Sequence, residues 1–93
     1  MSMREITADL RHIASPAALQ VYLGYVLRAP AYYGENLDAL YDILTEEAEP
    51  VRLTLLLPER FSPEMEAYWP RLRRVLDEAE EAKPAFCWKA ADK

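Results

Sequence analysis

The chain has one cysteine, one histidine and two glycines among its 93 residues. A single thiol, Cys87, excludes an internal disulfide, and its apolar setting (Phe86-Cys87-Trp88) predicts a buried core position. The lone His12 has no serine, cysteine or carboxylate arrangement around it that would make it a catalytic base. Two glycines leave little room for floppy loops. No stretch approaches the run of about 18 apolar residues needed for a membrane-spanning helix. Met1-Ser2-Met3-Arg4-Glu5 lacks the apolar run and small-residue cleavage site of a signal peptide, so a cytoplasmic location is expected. The most telling absence is local: residues 31 to 50 contain no Lys and no Arg.

That stretch holds six acids, Glu35, Asp38, Asp42, Glu46, Glu47 and Glu49. The whole chain has 16 acids, 11 bases and a net charge of −5; without the segment, 10 acids and 11 bases remain, a net +1. The entire negative excess therefore sits on one short element. A directional field of this kind steers a basic partner and repels other acids, which points to a binding module with a cationic target. The acidic balance argues against nucleic acid or an anionic membrane as partner, because phosphate binding needs a basic patch. The length suits a single domain over residues 1–93, and 52% apolar with 29% charged residues is ordinary for a globular chain.

Proline punctuation divides the sequence. Met3 to Ile6 is short and mixed and reads as an edge-like strand. Ser15-Pro16 reads as N-cap and first helical position, followed by the apolar stripe Leu19, Tyr22, Leu23 and Val26. Gly24 within that helix costs about 1 kcal/mol relative to Ala, which predicts close packing against another element. Arg28 suits the negative helix end and Pro30 stops the helix. Asn36 is expected to cap a second helix, with Leu37, Leu40, Tyr41 and Leu44 on one face. Glu35, Asp38, Asp42, Glu46 and Glu49 share another face, and Pro50 ends the element. Val51 to Leu57 reads as a buried strand. Ser62-Pro63 starts a third helix, which Pro70 is expected to kink or break near Tyr68-Trp69. A cleaner helix follows from about Arg71 to Ala82, with Leu72, Val75, Leu76 and Ala79 facing the core, and a last short strand runs from Ala85 to Ala90. The order is β-α-α-β-α-β, an α/β fold with a small three-stranded parallel sheet packed with helices. Right-handed crossovers would set the helices on one side of the sheet. Strand order is not derivable from this pattern.

Tyr32-Tyr33-Gly34-Glu35-Asn36-Leu37-Asp38-Ala39-Leu40, one aromatic residue and then Asp42 resemble the signature of the barstar family, cytoplasmic inhibitors of barnase-type microbial ribonucleases. The resemblance implies a three-stranded parallel sheet with helices. It implies that the acidic helix and its preceding loop enter a ribonuclease active site. Tyr32, Gly34, Asn36, Asp38, Tyr41 and Asp42 would form the central contact surface, with Val75 and Glu78 at its periphery. Asp42 would stand deepest, as a phosphate mimic making charge-assisted hydrogen bonds. Two positions depart from the family prototype: Tyr41 replaces a Trp, and Glu46-Glu47 replace a Gly-Trp pair. An alternative is a barstar-fold interaction module, antitoxin-like or immunity-like, for a different basic target. In either case the free chain is expected to be a monomer without cofactor or metal.

Each of these residues also has a plainer reading. Asp38 lies in a first helical turn, where the macrodipole favours any acid. Of the two adjacent tyrosines, Tyr33 is expected to be the more buried. Gly34 could be needed for a backbone conformation that other residues avoid. Asn36 is first a helix cap. Val75 belongs to the core stripe as readily as to an interface, and Glu78 stands four residues after Arg74, a spacing for an exposed ion pair. Asp38 and Asp42 on one exposed helix lack the cleft that would push two carboxyl pKa values apart, and the glycine-bent spacing of a calcium loop is missing. An enzyme is not expected.

Overall fold

The computed structural model describes residues 3–46 and 49–92. Six elements follow one another as β1 (Arg4–Asp9), α1 (Pro16–Val26), α2 (Leu37–Glu46), β2 (Val51–Leu57), α3 (Pro63–Ala82) and β3 (Phe86–Asp92). This is the expected β-α-α-β-α-β order. Both pairings are parallel, as helical crossovers require, and spatial order equals chain order with β2 in the centre. The register sets Ile6 beside Leu53 beside Trp88, and Glu5 beside Arg52 beside Cys87. β1 extends to Asp9, three residues past the short strand expected from its mixed start.

Alternation along β2 shows where the core lies. Val51, Leu53 and Leu55 are buried, whereas Arg52 is exposed and Thr54 half-buried. The strand expected to be buried is buried on one face. Both crossovers return on the same side, so the helices cover one face of three strands and leave the other to Glu5, Thr7, Arg52 and Lys89, all exposed. That geometry also corrects the reading of Cys87. Its partners in register are Arg52 and Glu5, so it points away from the core that holds Phe86, and it is half-buried. An apolar sequence context does not bury a side chain when the strand alternates.

The core gathers Leu19 and Leu23 of α1, Leu40 and Leu44 of α2, and Met65, Leu72, Leu76 and Ala79 of α3 over the inner sheet face. Both proline-led helices start as expected: Ser15 Oγ accepts from the Ala18 amide at 3.2 Å, and Ser62 Oγ from Met65 at 3.2 Å. The Ser62 hydroxyl also donates to the Ala14 carbonyl at 2.6 Å, tying the two helix starts together. Arg28 does not act from within the last turn of α1. It lies beyond the helix with φ 57°, and the amides of Arg28 and Ala29 reach back to the carbonyls of Tyr25 and Gly24. This is a Schellman closure with arginine where glycine is usual.

Pro70 does not break α3, which runs unbroken for 20 residues. The carbonyl four residues back belongs to Glu66, and both residues are exposed, so water can satisfy the acceptor that proline leaves open. Trp69 next to it packs on Phe61 at 5.5 Å and on Trp88 at 6.1 Å between ring centres, holding the helix down at that point. The acidic stripe is shorter on the helix than its spacing suggested. Glu35 precedes α2 and Glu49 follows it, while Glu47 falls outside the described residues. Among the described residues no helix is long and apolar enough to cross a membrane.

Candidate protein-docking surface

The loop between α1 and α2 is built around Tyr33. Its amide donates to the Pro30 carbonyl at 2.9 Å, closing a turn. Its ring lies against Gly24, where an added Cβ would sit 3.0 and 3.2 Å from two ring carbons. This is the close packing that a glycine inside α1 predicted. The Tyr33 hydroxyl donates to Oε1 of Gln20, and Nε2 of Gln20 donates to the Tyr68 hydroxyl at 2.7 Å. Burial, then the neighbouring Tyr68 and Glu35, push the Tyr33 phenol up to about 12. Tyr33 is half-buried and Tyr32 is 81% exposed, in the expected order.

Gly34 is not the residue with unusual backbone geometry. Positive φ falls on Glu35, at 56°, while Gly34 has none. Gly34 is small for another reason: a Cβ there would lie 3.2 Å from Asn36 Nδ2 and 3.5 Å from the Ala39 Cβ. Asn36 uses both ends of its amide. Oδ1 accepts from the Ala39 amide at 2.8 Å, and Nδ2 donates to the Gly34 carbonyl at 3.3 Å. It is the expected cap of α2, and that cap also fastens the loop to the helix.

From this start, α2 turns Leu40 and Leu44 into the core and packs against α3. Asp38 and Asp42 come four residues apart on its exposed face. Neither pairs with a cation among the described residues. Between α2 and α3 lies a shallow groove of about 280 Å³ lined by Leu37, Asp38, Tyr41, Asp42, Val75 and Glu78. Five of the eight residues singled out from the sequence thus meet in one place, two of them from a helix more than thirty positions further on. Glu78 is also engaged with Arg74 at 3.8 Å, both side chains well exposed, which is the ion pair its spacing suggested. Such exposed pairs contribute only a few tenths of a kcal/mol, about 0.3–0.5, and leave Glu78 free to exchange partners.

The remaining three do not line this groove. Asn36 stands at the N-terminal end of α2, where with Asp38 it borders a second groove shared with Glu35, Tyr68 and Arg71. The Arg71 guanidinium there is held 5.6 Å over the Tyr68 ring. Gly34 precedes Asn36 in the loop. Tyr32 faces a different hollow, beside Arg28, Ile43 and Glu46. In the sequence Leu37 and Tyr68 read only as a core-face residue and a helix position beside Pro70, and Gln20 is not singled out. For Gln20 a signal existed: it stands three residues before Leu23, within reach of the inward side of α1.

A parallel sheet covered on one face, with an exposed acidic helix beside a groove, defines a small α/β protein of β-α-α-β-α-β order. The chain belongs to the barstar family: the family description "Barstar (barnase inhibitor)" matches residues 3–90. No curated protein matches it. The family is one of inhibitors rather than enzymes.

Proposed function

We propose that the protein is a cytoplasmic, monomeric single-domain inhibitor of a barnase-type microbial ribonuclease, laying α2 and the loop before it over the enzyme's active site. A ribonuclease site gathers Arg, Lys and His groups to hold RNA phosphates. A carboxylate carried on a rigid helix can take a phosphate's place and accept the same charge-assisted hydrogen bonds. In this reading Asp42 enters deepest, Asp38 and Glu78 add to the field, and Tyr32, Gly34, Asn36 and Tyr41 make the surrounding contacts. Val75 supplies an apolar edge. The supporting observation is that Asp38 and Asp42 stand exposed, on one face, and form no ion pair among the described residues. A helix whose acids were tied to its own arginines would have no charge to offer.

Inhibition of a barnase-type ribonuclease by the purified protein tests the proposal. Asp42→Ala should weaken inhibition by about 3–5 kcal/mol, the usual loss when one partner of a buried ion pair is removed. Unchanged inhibition would end the phosphate-mimic role of Asp42.

Glu46 favours a second reading, a different basic target. It is exposed at the end of α2, at a position where the family prototype carries no charge, and it borders the hollow that Tyr32 faces. A partner that places a cation there would be preferred over one that does not.

A further inference from the structure

We propose that Gln20 is a positioning residue of this docking surface: from inside the protein, through Tyr33, it sets where loop 30–36 and the start of α2 lie. The inference rests on the reading of that loop and helix as the ribonuclease-docking surface, and deepens it.

Gln20 is 2% exposed and is the buried polar side chain of the described core. Its amide is used at both ends, toward two elements other than its own: Oε1 accepts from Tyr33 in the loop, and Nε2 donates to Tyr68 on α3. The glutamine oxygen faces the Tyr33 hydroxyl and the NH2 group faces Tyr68, so one amide joins two phenols from different elements. Gly24 lies one helical turn after Gln20 and leaves the space into which the same tyrosine ring fits. Residues 20 and 24 of α1 therefore hold the two ends of one side chain, hydroxyl and ring.

Tyr33 is directly followed by the segment that starts α2. Gly34 gives its carbonyl to Asn36, Glu35 takes the left-handed conformation, and Asn36 caps the helix that carries Asp38 and Asp42. A shift of Tyr33 therefore moves the cap and both carboxylates. An aliphatic side chain of similar volume would carry no desolvation penalty of its own, but it would leave the Tyr33 and Tyr68 hydroxyls without this partner. What the amide adds is direction.

Gln20→Leu, Tyr33→Phe and Tyr68→Phe, with amide hydrogen exchange in the free protein, test this. In Gln20→Leu the amides of Tyr33, Ala39 and Leu40 should exchange about tenfold faster, the equivalent of about 1.4 kcal/mol and the size of one buried hydrogen bond. The β2 amides of Leu53 and Leu55 should keep their wild-type rates. The Gln20→Leu/Tyr33→Phe double variant should lose no more than the larger single loss, because the two groups act through each other. Binding to a barnase-type ribonuclease should weaken about tenfold in Gln20→Leu with its salt dependence unaltered, since no charge has changed. Wild-type loop exchange in both single variants, additive losses, or unweakened binding would overturn the proposal. Should Gln20→Leu not fold, the two Phe variants, each lacking one oxygen, decide by the same exchange readout. A wild-type protein that binds no such ribonuclease would refute the functional reading, while loop exchange in the free protein would still decide the role of Gln20.

Discussion

A phenol packed inside a protein gives up its proton late, and Tyr33 does so because burial and the nearby Tyr68 and Glu35 disfavour the phenolate. Its pKa rises from the ordinary 10 to about 12. The folded protein therefore keeps this proton when the unfolded chain has already lost it. The resulting stabilisation is complete below pH 10 and is lost as pH climbs from 10 toward 12. Denaturant midpoints measured from about pH 9 to about pH 12 should fall more steeply for the wild type than for Tyr33→Phe. Identical slopes would mean that the hydroxyl is solvated in solution. Several neighbouring residues were legible from sequence. Asn36 caps and Gly24 marks a close approach, because each follows from local backbone chemistry or residue size, and Tyr33 is more buried than Tyr32 as expected. Gly34 was not: its conformation is ordinary, and the left-handed residue is Glu35. Glycine identity records that space or freedom is needed, and only the packing of Asn36 and Ala39 tells which.

Among the elements, α3 departs most from its sequence pattern. An interior proline costs about 3 kcal/mol relative to alanine when isolated, yet α3 passes through Pro70. Met65, Leu72, Leu76 and Ala79 are buried on both sides of it, and the Phe61–Trp69–Trp88 aromatic contacts anchor the turn between. Tertiary packing outweighs the local penalty. Pro70→Ala should restore an amide for the Glu66 carbonyl and raise stability by about 1–3 kcal/mol, read from urea midpoints. A fall in stability would show that the ring itself packs against something. The edge strands show a related compensation. The Asp9 amide on β1 donates to the Tyr22 hydroxyl at 2.9 Å, and the Trp88 amide on β3 to a Glu80 carboxylate oxygen at 3.1 Å. Helix side chains thus occupy backbone donors that the two outer strands would otherwise expose. Neither contact follows from periodicity, since each joins residues at positions whose spacing carries no pattern.

Across the whole molecule, charge is asymmetric: one stretch without a base carries the negative excess, and the remainder is close to neutral. A cationic partner should therefore be captured faster at low salt. Raising ionic strength from about 0.01 M to about 1 M shortens the screening length from about 30 Å to about 3 Å. The association rate with a barnase-type ribonuclease should then drop by about tenfold or more, measured by stopped flow. A flat response would favour apolar recognition.

Element order, the parallel sense of the strands, the helix starts and the acidic helix were all readable along the chain. They depend on caps, prolines and spacing, which act between residues a few positions apart. The spatial order of strands, the outward position of Cys87, the continuity of α3 and the junction of α2 with Val75 and Glu78 were not. Each arises when surfaces distant in sequence compete for the same buried space, and that competition is resolved only once the whole chain has packed.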